Sequence, residues 1–278
     1  MPLTPTDEIV RRARAAGTGV GAFNVLQLEH AEAIVTGAAS ADRPVILQIS
    51  ENTVRYHGAL EPVALASLAI ARAAKTPVAV HLDHAENVDL VREAVGLGLG
   101  SVMFDASKLP YAENVAATRE VVEHCHRHGV WVEAELGEVG GKGGAHTPGV
   151  RTDPDEARAF VAATGVDALA VAVGSAHQML TRDAVLDFDL IVRLRAAVDT
   201  PLVLHGSSGV PDRDLVAAIA AGMTKVNVST HLNKAFTLAV RTHLADHLAA
   251  VDPRHYLTPA RAAVAHEVAH LLTVLAPS

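Results

Sequence analysis

The chain has 278 residues, 50% of them hydrophobic, which is enough apolar material for one large core; one domain over 1–278 is expected, since single α/β barrels commonly run to about 250 residues. A formal charge of -8 disfavours broad nucleic-acid binding, which needs clustered Lys and Arg, and the lone cysteine, Cys125, excludes an internal disulfide framework. The charged opening MPLTPTDEIVRRARA has no apolar signal core, and no run approaches the ~20 residues of a membrane span, so a cytoplasmic protein without membrane or nucleic-acid partners is expected.

Taken in chain order, short β-branched runs occur at about Gly19–Val25, Pro44–Ser50, Val78–His81, Ser101–Asp105, Val130–Leu136, Ala168–Val173, Pro201–Leu204 and Lys225–Val228. Each precedes a stretch with apolar residues at three- and four-residue steps, such as LEHAEAIVTGAASA, VDLVREAVGLG or DRDLVAAIAAG. Strand then helix, eight times over, predicts a parallel sheet closed into a (β/α)8 TIM barrel. A further helix from about Pro259 to Leu275 lies outside that count. An open doubly wound sheet would carry a glycine fingerprint after its first strand, where this chain has Val25-Leu26-Gln27.

Polar residues gather at the predicted strand ends: Asn24, Ser50, Asp83, His84, Asp105, Glu135, His177, His205 and Asn227. In a barrel these ends share one rim, where barrel enzymes carry their chemistry. His84, His177 and His205 each stand just beyond an apolar run, and three imidazoles that leave a coordination position open suit a catalytic zinc. Any one of these polar residues taken alone reads more simply as a loop group or helix cap.

Three other motifs compete. HEVAH, His266 to His270, fits the zinc-protease pattern, but it lies in the helix outside the alternation and is read as solvent-facing. HCHRH, His124 to His128, ends a helix before Gly129, where imidazoles suit the negative end of the helix dipole. GGKGG, Gly140 to Gly144, lacks the flanking residues of a P-loop and is read as a loop.

The stretches GAFNV, PVILQIS, VHLDH, SVMFDAS, VEAELGEVGG, LVLHGSSGVP, TKVNVST and DPRHYLTPARAA resemble, in order, the class II zinc-dependent ketose-bisphosphate aldolases, which include fructose- and tagatose-bisphosphate aldolases. The resemblance implies one catalytic Zn²⁺ on His84, His177 and His205, with Asp105 and Glu135 orienting ligands or holding a second metal position. It implies Asp83 as the acid/base at the substrate's C4 oxygen. Gly206, Ser207, Ser208, Asn227, Ser229 and Thr230 would hold the phosphate of a dihydroxyacetone phosphate half, with a monovalent cation nearby, and Asn24, Ser50 and Gln178 would line the remainder. Arg254 would grip a distal phosphate, often from a neighbouring subunit, so a homodimer or homotetramer is expected.

The implied reaction is reversible aldol cleavage of a phosphorylated ketose through a metal-stabilised enediolate. The loop departs from the resemblance: Gly143 stands where the family has its second base, a glutamate, so Glu138 or His146 becomes the expected substitute. Gln178 likewise replaces a glycine next to the metal-binding histidine. Two other readings remain open, a metal-dependent barrel lyase or isomerase on a related 2-keto-3-hydroxy compound, and a non-catalytic zinc-binding paralogue.

Overall fold

A computed structural model describes residues 2–136 and 151–276. Eight parallel strands close in sequence order: β1 (Val20–Asn24), β2 (Val45–Ser50), β3 (Val78–Ala85), β4 (Ser101–Phe104), β5 (Trp131–Leu136), β6 (Ala168–Val171), β7 (Leu202–Leu204) and β8 (Met223–Val228). Pairing of Val20 with Lys225 and Ala22 with Asn227 completes the ring, so no strand edge is left to solvent. This is the predicted TIM barrel.

Between the strands lie α2 (Leu28–Ala41), α3 (Glu51–His57), α4 (Glu61–Ala73), α5 (Val88–Leu97), α6 (Tyr111–Arg127), α7 (Pro154–Thr164), α8 (Phe188–Ala197) and α9 (Asp212–Ala221), and after β8 come α10 (Thr230–Asp246) and α11 (Pro253–Leu275). The helix outside the count starts earlier than Pro259. Asp252 accepts from the Arg254 N–H and Pro253 sits at the first turn, so the cap places the start six residues upstream of the proline that remains inside the helix. Its apolar side packs on α2. The opening segment, read from sequence only for lacking a signal core, forms α1 (Thr6–Ala16) and plugs the barrel floor with Ile9, Val10 and Ala13.

The inward-facing residues form layers whose polarity rises toward the C-terminal rim. The floor is apolar: Ala22, Ile46, Ala79, Trp131, Ala168 and Val203. One layer up, Gln48 is level with His81, and Glu133 and Lys225 are fully buried beside them. Above that, Ser50 is level with Asp83, while Glu135 and Asn227 follow two residues beyond Glu133 and Lys225. The two-residue period of a strand therefore carries each strand from core packing into chemistry.

Candidate active site

β3 runs further than the sequence pattern indicates. It keeps Asp83 and His84 in the strand, and its register against β4 shifts between Leu82 and Ala85. His84 takes a φ of 49°, a left-handed conformation that costs a non-glycine residue roughly 1–2 kcal/mol. The bulge re-aims the imidazole toward the barrel mouth. His205 follows the last residue of β7, whereas His177 stands in the loop well past Val171, the end of β6. Gly206 makes their approach possible: its φ is 66°, and a Cβ there would meet the Ala176 carbonyl at 2.6 Å.

The three rings converge. Centroids of His84 and His205 are 4.7 Å apart, those of His84 and His177 5.1 Å, and those of His177 and His205 5.8 Å. One ligand atom from each, with a Glu135 oxygen, lies within 4.8 Å of every other. That donor set, nitrogen-rich with one carboxylate, suits Zn²⁺ or a similar borderline cation. The outer partners fit as well. Asp105 Oδ2 is 2.8 Å from His84 Nδ1, which leaves Nε2 for the cluster, and Ser107 donates to the other Asp105 oxygen through its N–H and hydroxyl.

His205 has a carboxylate oxygen at 2.9 Å from each ring nitrogen, Glu135 at Nδ1 and Glu133 at Nε2. Burial alone would lower its pKa, but the two carboxylates outweigh it and hold the metal-free ring protonated, with a pKa raised to about 9. A cation between Nδ1 and Glu135 would replace that proton, and Nε2–H would still donate to Glu133. The residues present therefore fit a metal.

Asp83 anchors a second network. Its Oδ2 accepts from Asn24 Nδ2 at 3.0 Å and its Oδ1 from Asn227 Nδ2 at 3.3 Å. Both amides are oriented from behind: Gln48 Nε2 donates to Asn24 Oδ1 at 2.8 Å, and Lys225 Nζ to Asn227 Oδ1 at 2.7 Å. Burial would push the Asp83 carboxyl up, yet His84, Lys225 and His205 together hold it below the usual carboxylate range. The group is an ionised acceptor at neutral pH.

Lys225 joins the two halves, because its ammonium also pairs with Glu133 Oε2 at 2.8 Å, with both side chains wholly buried. Burial would raise Glu133, but Lys225 and His205 keep it ionised. His81, whose Nδ1 is 2.8 Å from Ser101 Oγ, stays neutral, since burial above all lowers its pKa to about 3. Sequence reasoning missed Gln48, His81, Glu133 and Lys225. Each stands two residues before a residue it did pick out, so stepping back one strand period from Ser50, Asp83, Glu135 and Asn227 would have found them.

Above the imidazoles opens a cavity of about 420 Å³, lined by Asn24, Ser50, Asp83, His84, Asp105 and His177 on its metal side. Gln178, Gly206, Ser208, Asn227, Ser229 and Thr230 line the other side. Here α10 begins, and the Ser208 hydroxyl accepts from the Ser229 and His231 N–H groups at 3.4 and 3.2 Å. A seventeen-residue helix starting at the cavity wall offers a site for an anion. Gln178, which lines the cavity, has a φ of 60°, a left-handed conformation that glycine adopts more readily than a residue with a side chain.

Some expected residues lie elsewhere. Ser207 is buried and its hydroxyl donates to the Asn227 carbonyl, so it braces the turn without lining the cavity. Arg254 is exposed at the start of α11, bound to Asp252, and is not among the residues that line its own chain's cavity. Glu138, His146, Gly143 and the rest of GGKGG lie outside the described residues. The HEVAH residues diverge: His270 pairs with Asp212 at 2.7 Å, Glu267 with His231 at 2.8 Å, and His266 is exposed. HCHRH ends α6, with His126 on Asp167. Among the described residues, only the barrel cluster brings three or more metal-binding side chains together.

A closed parallel barrel with imidazoles, a carboxylate and a buried aspartate at its C-terminal rim is the arrangement of a barrel enzyme with a candidate metal site. The model of the fructose-bisphosphate aldolase class-II family matches residues 4–278, and the chain belongs to that family. It is similar to the YdjI aldolase of Escherichia coli K12, at 32% identity and a TM-score of 0.87, over 98% of this chain and 97% of that one. Fructose-bisphosphate aldolase from Campylobacter jejuni shares the fold, with a TM-score of 0.82 at 20% identity over 97% and 93% of the two chains. The enzyme is a class II aldolase, a carbon–carbon lyase.

Proposed function

We propose that this aldolase cleaves a phosphorylated ketose reversibly into dihydroxyacetone phosphate and an aldehyde, with Zn²⁺ on His84, His177 and His205. The observation that carries the reading is the placement of ionised Asp83 and the imidazole cluster in one cavity whose far wall is the N-terminus of α10. When bound, the cation supplies Lewis-acid stabilisation of the negative charge that develops on the substrate's carbonyl side during cleavage.

The chain's own residues supply the rest. Asp83, held by two amides, takes the proton from the C4 hydroxyl as it becomes an aldehyde. Ser208, Ser229 and Thr230 fix the phosphate at the helix start, which aligns the reacting carbons over Asp83. Asp105 at His84 Nδ1 and Glu133 at His205 Nε2 would fix the tautomers that leave the opposite ring nitrogens for a cation, and Glu135 lies in the donor group itself. A homodimer or homotetramer belongs to the reading: α10 buries only Leu232 within this chain while Leu238 and Leu180 stand exposed. No helix among the described residues is long and apolar enough to cross a membrane.

Metal analysis tests the site. Wild type is expected to hold one divalent cation per chain and His205→Ala to bind it far more weakly, because the fully buried His205 is one of four grouped donors and Glu135 is positioned by its ring. His266→Ala and His270→Ala should leave the content unchanged. Metal that follows the HEVAH pair instead would overturn the assignment.

The second base gives another test. With Gly143 in the place of the family's glutamate, exchange of the C3 proton of dihydroxyacetone phosphate and cleavage of fructose 1,6-bisphosphate are expected to be slow. Exchange into deuterated water by wild type, Glu138→Gln and His146→Ala identifies the substitute by its further loss. Wild-type cleavage at roughly 10 per second, a typical enzyme turnover, with neither substitution mattering, would place the base on another residue.

A further inference from the structure

The end of the cavity away from α10 carries charged residues that the metal and phosphate chemistry leaves unused. Glu51 and Arg55 come from α3, Glu86 from the turn after β3 and Lys108 from the loop after β4. Arg55 pairs with Glu51 Oε1 at 2.5 Å and Lys108 with Glu86 Oε1 at 2.7 Å. The remaining Glu51 oxygen accepts from the backbone N–H groups of Glu86 at 2.6 Å and Asn87 at 3.3 Å. These bonds tie the two ion pairs into one rim. The Glu51 side chain is only 12% exposed, whereas Arg55 and Lys108 are 62% and 48% exposed and face the opening.

The rim sums to no net charge, since its two cations meet two carboxylates. A phosphate dianion arriving here would have to draw each cation from a carboxylate that then stays close by and repels it. Hydroxyl groups meet no such conflict. They donate to carboxylates and accept from guanidinium or ammonium N–H groups, so a polyol adds bonds to pairs that remain intact. Exposed ion pairs contribute little to stability, so these charges remain available to a ligand that enters the cavity.

We propose that the aldehyde-side half of the substrate is an uncharged, hydroxylated chain recognised by the Glu51–Arg55 and Glu86–Lys108 rim. The substrate class is then a ketose 1-phosphate with a free polyol end, not a ketose bisphosphate. The inference rests on the aldolase reading and specifies the half of the substrate that reading leaves open.

The test compares hexulose 1-phosphates with the matching 1,6-bisphosphates on zinc-loaded enzyme, by release of triose phosphate. kcat/KM for the best monophosphate is expected to exceed that of its bisphosphate by about tenfold or more, the scale on which unmatched polar groups discriminate. Arg55→Ala and Lys108→Ala should each raise KM for the monophosphate by roughly threefold to tenfold. Equal or better use of the bisphosphate overturns the proposal, as does a larger loss on the bisphosphate in Arg55→Ala, which would mark that guanidinium as a phosphate ligand. If neither class is cleaved, the aldolase reading fails separately. Calorimetric binding of the same two ligands then decides the rim, with tighter binding of the monophosphate supporting it and tighter or equal binding of the bisphosphate ending it.

Discussion

Asp83→Ala is expected to retain its metal and to lose at least ~100-fold in turnover, the scale of one positioned acid/base. The carboxylate is 2% exposed and is held by amides from β1 and β8, while the metal-directed donors come from other residues. A merely structural role would be that of an N-cap on the next helix. That role belongs to Asn87, whose side chain accepts from the Asp89 N–H at the start of α5. Metal content and kcat measured on the same preparation separate the possibilities. Intact metal with near-normal turnover would show that the C4 proton is handled by another group.

Lys225→Met is expected to destabilise the fold by about 3–5 kcal/mol, because it leaves Glu133 charged, buried and without its cation. It should also weaken zinc binding by roughly 10–100-fold, since Glu133 orients His205. The two effects are separable with a second variant. Lys225→Met combined with Glu133→Gln removes both charges and should recover much of the stability while leaving zinc affinity low, because an amide then stands behind His205 in place of the carboxylate. Denaturant unfolding gives the first quantity and competition with a chelator the second. Unchanged zinc affinity in the single variant would mean that Lys225 supports the barrel only.

Much of this site was legible in the sequence. Asn24, Asp83, His84, His205 and Asn227 follow apolar runs, and a parallel barrel must send all such positions to one rim. His177 was legible for a weaker reason, because its loop position is decided by Gly206 lying against Ala176 and not by any strand end. Glu133 and Lys225 escaped because a strand covered on both faces reads as one apolar run with an odd charge in it. Nothing local says that the charge points inward.

By itself the sequence determined the number and order of strands, the closed barrel and the identity of the side chains at its mouth. These follow from short-range signals: β-branched runs, helical periodicity and turns, repeated in strict alternation. The tertiary structure alone decided which buried charges meet. Lys225 and Glu133 stand on β8 and β5, and Asp83 and Asn227 on β3 and β8, 144 positions apart. A charge survives in a dry interior only when a partner is brought to it, and here barrel closure brings partners from strands remote in the chain. The bulge at His84 and the left-handed backbone at Gln178 belong to the same category, since local preference opposes both conformations and the surrounding packing imposes them.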